Sequence, residues 1–242
     1  MVMTRGGMEI RLVDQESPGA AGLLRELHDD VLRPSFRPEE YVSPTVINPA
    51  KKLAIIARAD DGLVVGGALG EAYPHSRVLL LGYLAVRPGL RGKGIGSVLM
   101  AALKERWLDR DGENLAVLEI DDPRYHAPHP DHGDPAARLR FYGAFGVRLL
   151  GIPYFQPRLR DHLPRGYHML LGVIPPAGVT LPSAIPARQV STFLSEYFED
   201  CEGEAVNDDA EFRSLLDACR GPEIELVSPA DLGRIPDGSD RT

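Results

Sequence analysis

Leu84-Ala85-Val86-Arg87-Pro88-Gly89-Leu90-Arg91-Gly92-Lys93-Gly94-Ile95-Gly96-Ser97 is the stretch on which the fold turns. Its first three residues end an apolar run that begins at Val78. Its end opens an amphipathic run, with Ile95, Val98, Leu99, Ala102 and Leu103 at helical spacing. That order predicts a strand, a glycine-rich turn and a helix. Glycine lets the backbone turn tightly and lets N–H groups converge without side chains in the way. The helix start adds unpaired donors and the positive end of a dipole. Together they suit a pyrophosphate, with a ligand-free glycine turn as the plain alternative.

Other phosphate-binding motifs fit less well. A P-loop needs a glycine where Arg87 stands and a Ser or Thr where Gly94 stands. The dinucleotide fingerprint needs its third glycine at Ser97 and should follow the first strand of a parallel unit. Here the loop instead follows a hairpin. Leu53 to Ala59 and Leu63 to Ala72 are short apolar runs split by Asp60-Asp61-Gly62, a turn signal.

Working outward, Met8 to Asp14 alternates as a strand, and Pro18 opens a helix through Leu23, Leu24, Leu27 and Val31. The proline-rich stretch from Arg33 to Pro49 reads as a loop. The run Val78 to Val86 is apolar enough to predict a central strand covered on both faces. Downstream come a strand at Leu115 to Ile120 and a helix capped by Asp134-Pro135 and ending near Gly146. Strands at Val147 to Ile152 and Tyr167 to Ile174 follow. The expected fold class is α/β, with a mixed, mostly antiparallel sheet flanked by helices.

A linker from Pro175 to Pro186 leads to a helical C-terminal part. Val190, Phe193, Leu194, Tyr197 and Phe198 form one apolar face, and Phe212, Leu215, Leu216 and Cys219 a second. The expected domains are a core over 1–175, a helical extension over 176–229 docked on the core or a partner subunit, and a disordered tail over 230–242. A homodimer through those helices is one possibility.

The 242 residues are 43% hydrophobic and 26% charged, enough to bury a core without disulfides or metal. A net charge of −8 argues against nucleic acid as a partner. No apolar run is long enough to span a bilayer and no basic-then-apolar leader is evident, so a cytoplasmic protein with no membrane partner is expected. Cys201 and Cys219 read as thiols. His126, His129 and His132 share a proline-rich loop without a fixed ligand spacing, so no metal site is expected.

Arg91, Gly94 and Gly96, preceded by Leu84-Ala85-Val86-Arg87-Pro88, resemble the signature of the GNAT superfamily of N-acetyltransferases. Phe141-Tyr142-Gly143-Ala144-Phe145-Gly146-Val147 resembles that family's second element. The resemblance spans roughly Met8 to Ile174. It implies acetyl-coenzyme A as co-substrate, its pyrophosphate held by backbone N–H groups of Gly92, Gly94, Gly96 and Ser97, with Ile95 in the same turn and with charge from Arg91 and Lys93. It further implies that the strand end Leu84, Ala85 and Val86 pairs with the pantetheine and supplies an oxyanion-hole donor.

Tyr142 stands where the family often places the general acid to the departing thiolate. A core tyrosine with a satisfied hydroxyl is the other reading. For the base, the strand before the loop holds no acid, so Glu119, Asp121, Asp122 and Glu71 are candidates, with a water chain also open. Glu119 lies between Leu118 and Ile120, where a carboxylate could face a site or simply form a salt bridge. Tyr154, Phe155 and Gln156 either line the acceptor cleft or pack. The longer loop before Asp134 departs from the family pattern and leaves the acceptor open. The expected activity is transfer of an acetyl group to an amine on a small molecule or peptide. A non-catalytic acyl-coenzyme A sensor and a nucleotide-binding protein of another fold are the alternatives.

Overall fold

A computed structural model describes residues 2–5, 8–14, 17–37, 41, 52–108, 114–130, 133–160 and 162–237. Most of the proline-rich stretch at 33–49, along with His132 and the last five residues, lies outside the described residues. The fold is α/β, a mostly antiparallel sheet flanked by helices. The chain divides into two compact units, Met1–Ala72 with Leu80–Asp109, and Tyr73–Leu79 with Arg110–Thr242.

In the first unit, strands β1 (Val2–Arg5), β2 (Met8–Asp14), β3 (Lys52–Ala59), β4 (Val64–Tyr73) and β5 (Val78–Val86) follow one another in the sheet. β4 and β5 run on at their hairpin ends into the other unit's residues 73–79. The β3–β4 turn forms as its residues dictate. Gly62 takes a left-handed φ of 92°, and Asp61 caps the backbone N–H of Leu63 at 3.0 Å. Helix α1 (Ala20–Leu27) continues into a π-helical turn, His28–Leu32. Helix α2 spans Ile95–Arg106.

β4 explains how both helices seat closely. A methyl group at Gly66 would come within 3.3 Å of Ile95 and Leu99 on α2, and one at Gly70 within 2.9 Å of Trp107. One at Gly67 would come within 2.6 Å of Leu27 on α1. Residues of opposite parity in a strand point to opposite faces, so these glycines admit one helix on each side. The core between α1 and the sheet holds Leu27, Val31, Leu32, Ile56, Val64 and Leu69.

β5 departs from its expected full cover. Val78, Leu80, Leu81 and Ala85 are buried, but Gly82 is exposed and Leu84 and Val86 are half-buried. An apolar run reports hydrophobicity and not which neighbours arrive, so it could not distinguish the two halves of this strand.

The second unit begins with β6 (Leu115–Asp121), helix α3 (Pro135–Ala144), β7 (Arg148–Leu150) and β8 (Met169–Ile174). There follow β9 (Ala184–Pro186), α4 (Ala187–Glu202), α5 (Ala210–Asp217) and β10 (Glu223–Val227). The sheet order is β6-β8-β7-β10-β9, and every register is antiparallel, with Glu119 opposite Leu171 and Leu226 opposite Leu150. The Asp134 side chain caps α3, accepting from the Ala136 N–H at 2.9 Å.

The C-terminal part supplies strands as well as the two expected helices. β10 pairs with β7, and a 3₁₀ turn at Pro229–Arg234 is followed by a buried Ile235. The α4 face forms as its spacing predicts. Phe193 packs edge-on against Tyr73, and Phe198 stacks on Phe212 of α5 with ring centres 4.5 Å apart.

Candidate functional site

The glycine loop joins β5 to α2. Gly89, Gly92 and Gly94 all have left-handed φ, between 79° and 83°, and Gly94 is the N-cap of α2. No side chain caps that helix, and its first internal bond runs from the Val98 N–H to the Gly94 carbonyl. Among the described residues, the N–H groups of Gly92, Lys93, Gly94, Ile95, Gly96 and Ser97 meet no acceptor. They form a run of six donors at the positive end of a helix.

Side chains around the loop divide into anchors and free charge. Ile95 is buried against β4, so only its backbone can serve a ligand. Arg87 anchors the loop's start: it donates to the Val64 carbonyl at 2.6 Å and pairs with Glu26 at 2.9 Å and Asp30 at 3.1 Å. Glu26 also accepts from the Val64 N–H. Arg91 donates to Ser35 at 3.2 Å, and Lys93 is exposed with no partner among the described residues. Leu84 and Val86 flank the buried Ala85 at the strand end.

In the other unit, Glu119 is half-buried on β6 and gathers donors from two further segments. The Tyr154 hydroxyl donates to Oε1, the Gln156 side-chain amide to Oε2 at 2.7 Å, and the Tyr197 hydroxyl to Oε2 at 3.3 Å. Burial first, then the Glu119 charge, hold both phenols well above their usual pKa, so both stay protonated donors. Of the other candidate bases, buried Asp122 is committed to Arg124, which grips both of its oxygens. Asp121 pairs with Arg138 at 3.3 Å. Glu71 lies on β4.

Tyr142 is buried on α3, its ring edge-on to Phe141. Burial raises its pKa and the Arg138 charge only partly offsets this, so the hydroxyl holds its proton at neutral pH. Among the described residues that hydroxyl has no hydrogen-bond partner.

Among the described residues, no group of three His, Cys, Asp or Glu is placed to hold a metal ion. His126 meets the Tyr167 carbonyl, and His129 bridges to Gly133 through its backbone. Cys201 and Cys219 form no disulfide among the described residues, and burial lifts Cys219 to about 11. No helix among the described residues is long and apolar enough to cross a membrane.

The residues that sequence reasoning passed over are Arg158, Arg165 and Glu202. The Arg165 side chain is 2% exposed and pairs with Glu202, Asp209 and Glu211 at 2.8–2.9 Å, its guanidinium lying over the Phe155 ring. Nothing in their local sequence signals this cluster, because its members come together only through the fold.

The loop and fold described above agree with a direct comparison of families. Residues 23–130 match the model of the acetyltransferase (GNAT) family. Among solved structures, a Bacteroides thetaiotaomicron chain described as a GNAT-family acetyltransferase is 21% identical. The match covers 69% of this chain and 86% of that one at a TM-score of 0.50. The Escherichia coli ribosomal-protein-S18-alanine N-acetyltransferase is 14% identical, with 72% of this chain and 99% of that one covered at a TM-score of 0.46. No curated protein matches the chain. Helices α4 and α5 and strands β7 to β10 all lie beyond the matched family segment.

Proposed function

We propose that this protein transfers an acetyl group from acetyl-coenzyme A to an amine on a small molecule or peptide, in the cytoplasm. The observation that carries the reading is the run of six acceptor-free N–H groups from Gly92 to Ser97, inside the segment that matches the GNAT family model. That run suits the two phosphates of a coenzyme A pyrophosphate, with the exposed Lys93 and Arg91 adding charge. Leu84 and Val86, half-buried at the end of β5, offer apolar surface and strand backbone to an extended pantetheine, beside Ala85.

In the transfer itself, the amine nitrogen forms a bond to the thioester carbonyl carbon, and the carbon–sulfur bond breaks. Two protons must move. Tyr142, protonated and without a competing partner, donates to the departing thiolate. Glu119 accepts the proton that the neutral amine nitrogen loses as it bonds to the carbonyl carbon. The net charge of −8 favours approach of a cationic amine over an anionic one.

The test is free-thiol release from acetyl-coenzyme A against pooled amines, polyamines, amino acids and peptides. Amine-dependent release is expected, and dividing the pools names the acceptor class. Saturable binding of acetyl-coenzyme A with no release in any pool would overturn the transferase reading in favour of a sensor.

A further inference from the structure

The second unit raises a question that the family domain does not answer: why a helix from the C-terminal extension lies on Glu119. Helix α4 reaches the carboxylate in two ways. Directly, its Tyr197 donates to Glu119 Oε2. Indirectly, its Glu202 grips the segment that carries the other two donors. Glu202 accepts from the Arg158 N–H at 2.9 Å and its guanidinium at 2.7 Å, and from Arg165 through two bonds at 3.0 and 2.8 Å.

That grip bears on Tyr154 and Gln156. Gln156 and Gly166 exchange backbone hydrogen bonds at 2.8 and 3.0 Å, closing the excursion between them. A methyl group at Gly166 would stand 3.1 Å from the Gln156 side chain, so the glycine is the seat on which that amide rests. Phe155, between the two donors, lies under the Arg165 guanidinium at 5.2 Å and edge-on to Phe198 of α4. Arg165 further ties the segment to α5 through Asp209 and Glu211.

We infer that the C-terminal extension completes the proton-accepting site. In this assignment Tyr154 and Tyr197 are positioning residues that hold the Glu119 carboxylate in one orientation, and the Arg165–Glu202 clasp keeps the Tyr154–Gln156 segment in place. The inference rests on reading Glu119 as the proton acceptor. Its physical basis is that a catalytic carboxylate on a strand has rotatable torsions, and rigid donors on both oxygens remove that freedom. The titratable groups facing the cluster are Tyr154, Tyr197 and Cys201, the last two from α4, with Tyr73 at the end of β4.

The experiment compares full-length Tyr154→Phe, Tyr197→Phe and the double variant with wild type and Glu119→Gln. It reads kcat/KM against pH for the amine found in the pooled assay, the Kd for acetyl-coenzyme A and the Tm. Phenylalanine keeps the packed ring and removes only the donor. Each single variant is expected to lose roughly tenfold in kcat/KM for the amine, with Kd for acetyl-coenzyme A unchanged. The acidic limb of the profile should move to higher pH, furthest in the double variant, because donors to the ionised carboxylate have been lost. Profiles of all three variants that superimpose on wild type, while Glu119→Gln slows transfer, would overturn the positioning role alone. Full activity in Glu119→Gln would overturn the proton-acceptor reading and this inference with it.

Discussion

The glycine loop and the Glu119 cluster are built from opposite materials. The loop is made of backbone: six consecutive N–H groups, presented by left-handed glycines at the start of a helix. The cluster is made of side chains from β6, the segment after β7, and α4, residues 119, 154, 156 and 197. A site made of backbone needs only the right residues next to one another in sequence. A site made of side chains needs distant segments to be held in register, and here the buried Arg165 and the partly exposed Arg158 do the holding through Glu202. The anchoring arginines differ too. Arg87 fastens the loop to α1 with 20% of its side chain exposed, whereas Arg165 is 2% exposed and meets three carboxylates.

If that contrast is right, the largest effect belongs to the buried clasp. Arg165→Met should cost about 3 kcal/mol of stability, because Glu202, 6% exposed, would lose its main partner. Chemical denaturation would measure it, and a loss within 0.5 kcal/mol, roughly that of an ordinary surface change, would dissolve the distinction between the two arginines. The acid behaviour gives an independent reading. Burial pushes the carboxyls of Glu202 and Asp209 up, but hydrogen bonds from Arg165 outweigh it and leave both below their ordinary values of 4.5 and 3.8. Groups depressed in the folded state add stability above the unfolded value and lose it as pH falls through the folded one. Wild type should therefore lose stability on acidification below 4.5 more steeply than Arg165→Met.

The next effect tests the backbone-made site. Gly94→Val places a β-branched residue at a φ of 81°, a strain of about 1–3 kcal/mol, and sets a side chain beside the donors. Titration calorimetry should show acetyl-coenzyme A binding weakened by about 100-fold or more, with far-UV circular dichroism close to wild type. Unchanged affinity would remove the loop from the donor site.

Tyr142→Phe sharpens the comparison from the side of chemistry. A general acid contributes on the order of 100-fold, part of which water can replace, so a fall in kcat of about 10- to 100-fold is expected. The Kd for acetyl-coenzyme A should stay near wild type, and steady-state kinetics at saturating donor would check both. A kcat equal to wild type would return Tyr142 to the core.

Legibility followed the same division. The turn at Asp60-Asp61-Gly62, the cap at Asp134-Pro135 and the α4 face could all be read from the sequence, because each depends on neighbours within one turn or one strand. The alternation in Glu223-Ile224-Glu225-Leu226-Val227 was present too, but its meaning depended on β7, whose Leu149 and Leu150 it pairs with from far along the chain. Half of β5 is less covered than its apolar run predicts for the same reason, since composition carries no information on which neighbour covers Leu84 and Val86.

By itself the sequence determined the α/β class and the strand–glycine loop–helix unit, whose turn suits an anion. These follow from local backbone preference and periodicity, which act over a few residues. Tertiary structure alone decided that Glu119 meets Tyr154, Gln156 and Tyr197, that Arg165 is buried among three carboxylates, and that the C-terminal extension ends in a strand of the sheet. Burial and hydrogen bonding between segments dozens of residues apart are properties of the packed chain, and no local pattern encodes which partners the packing will bring together.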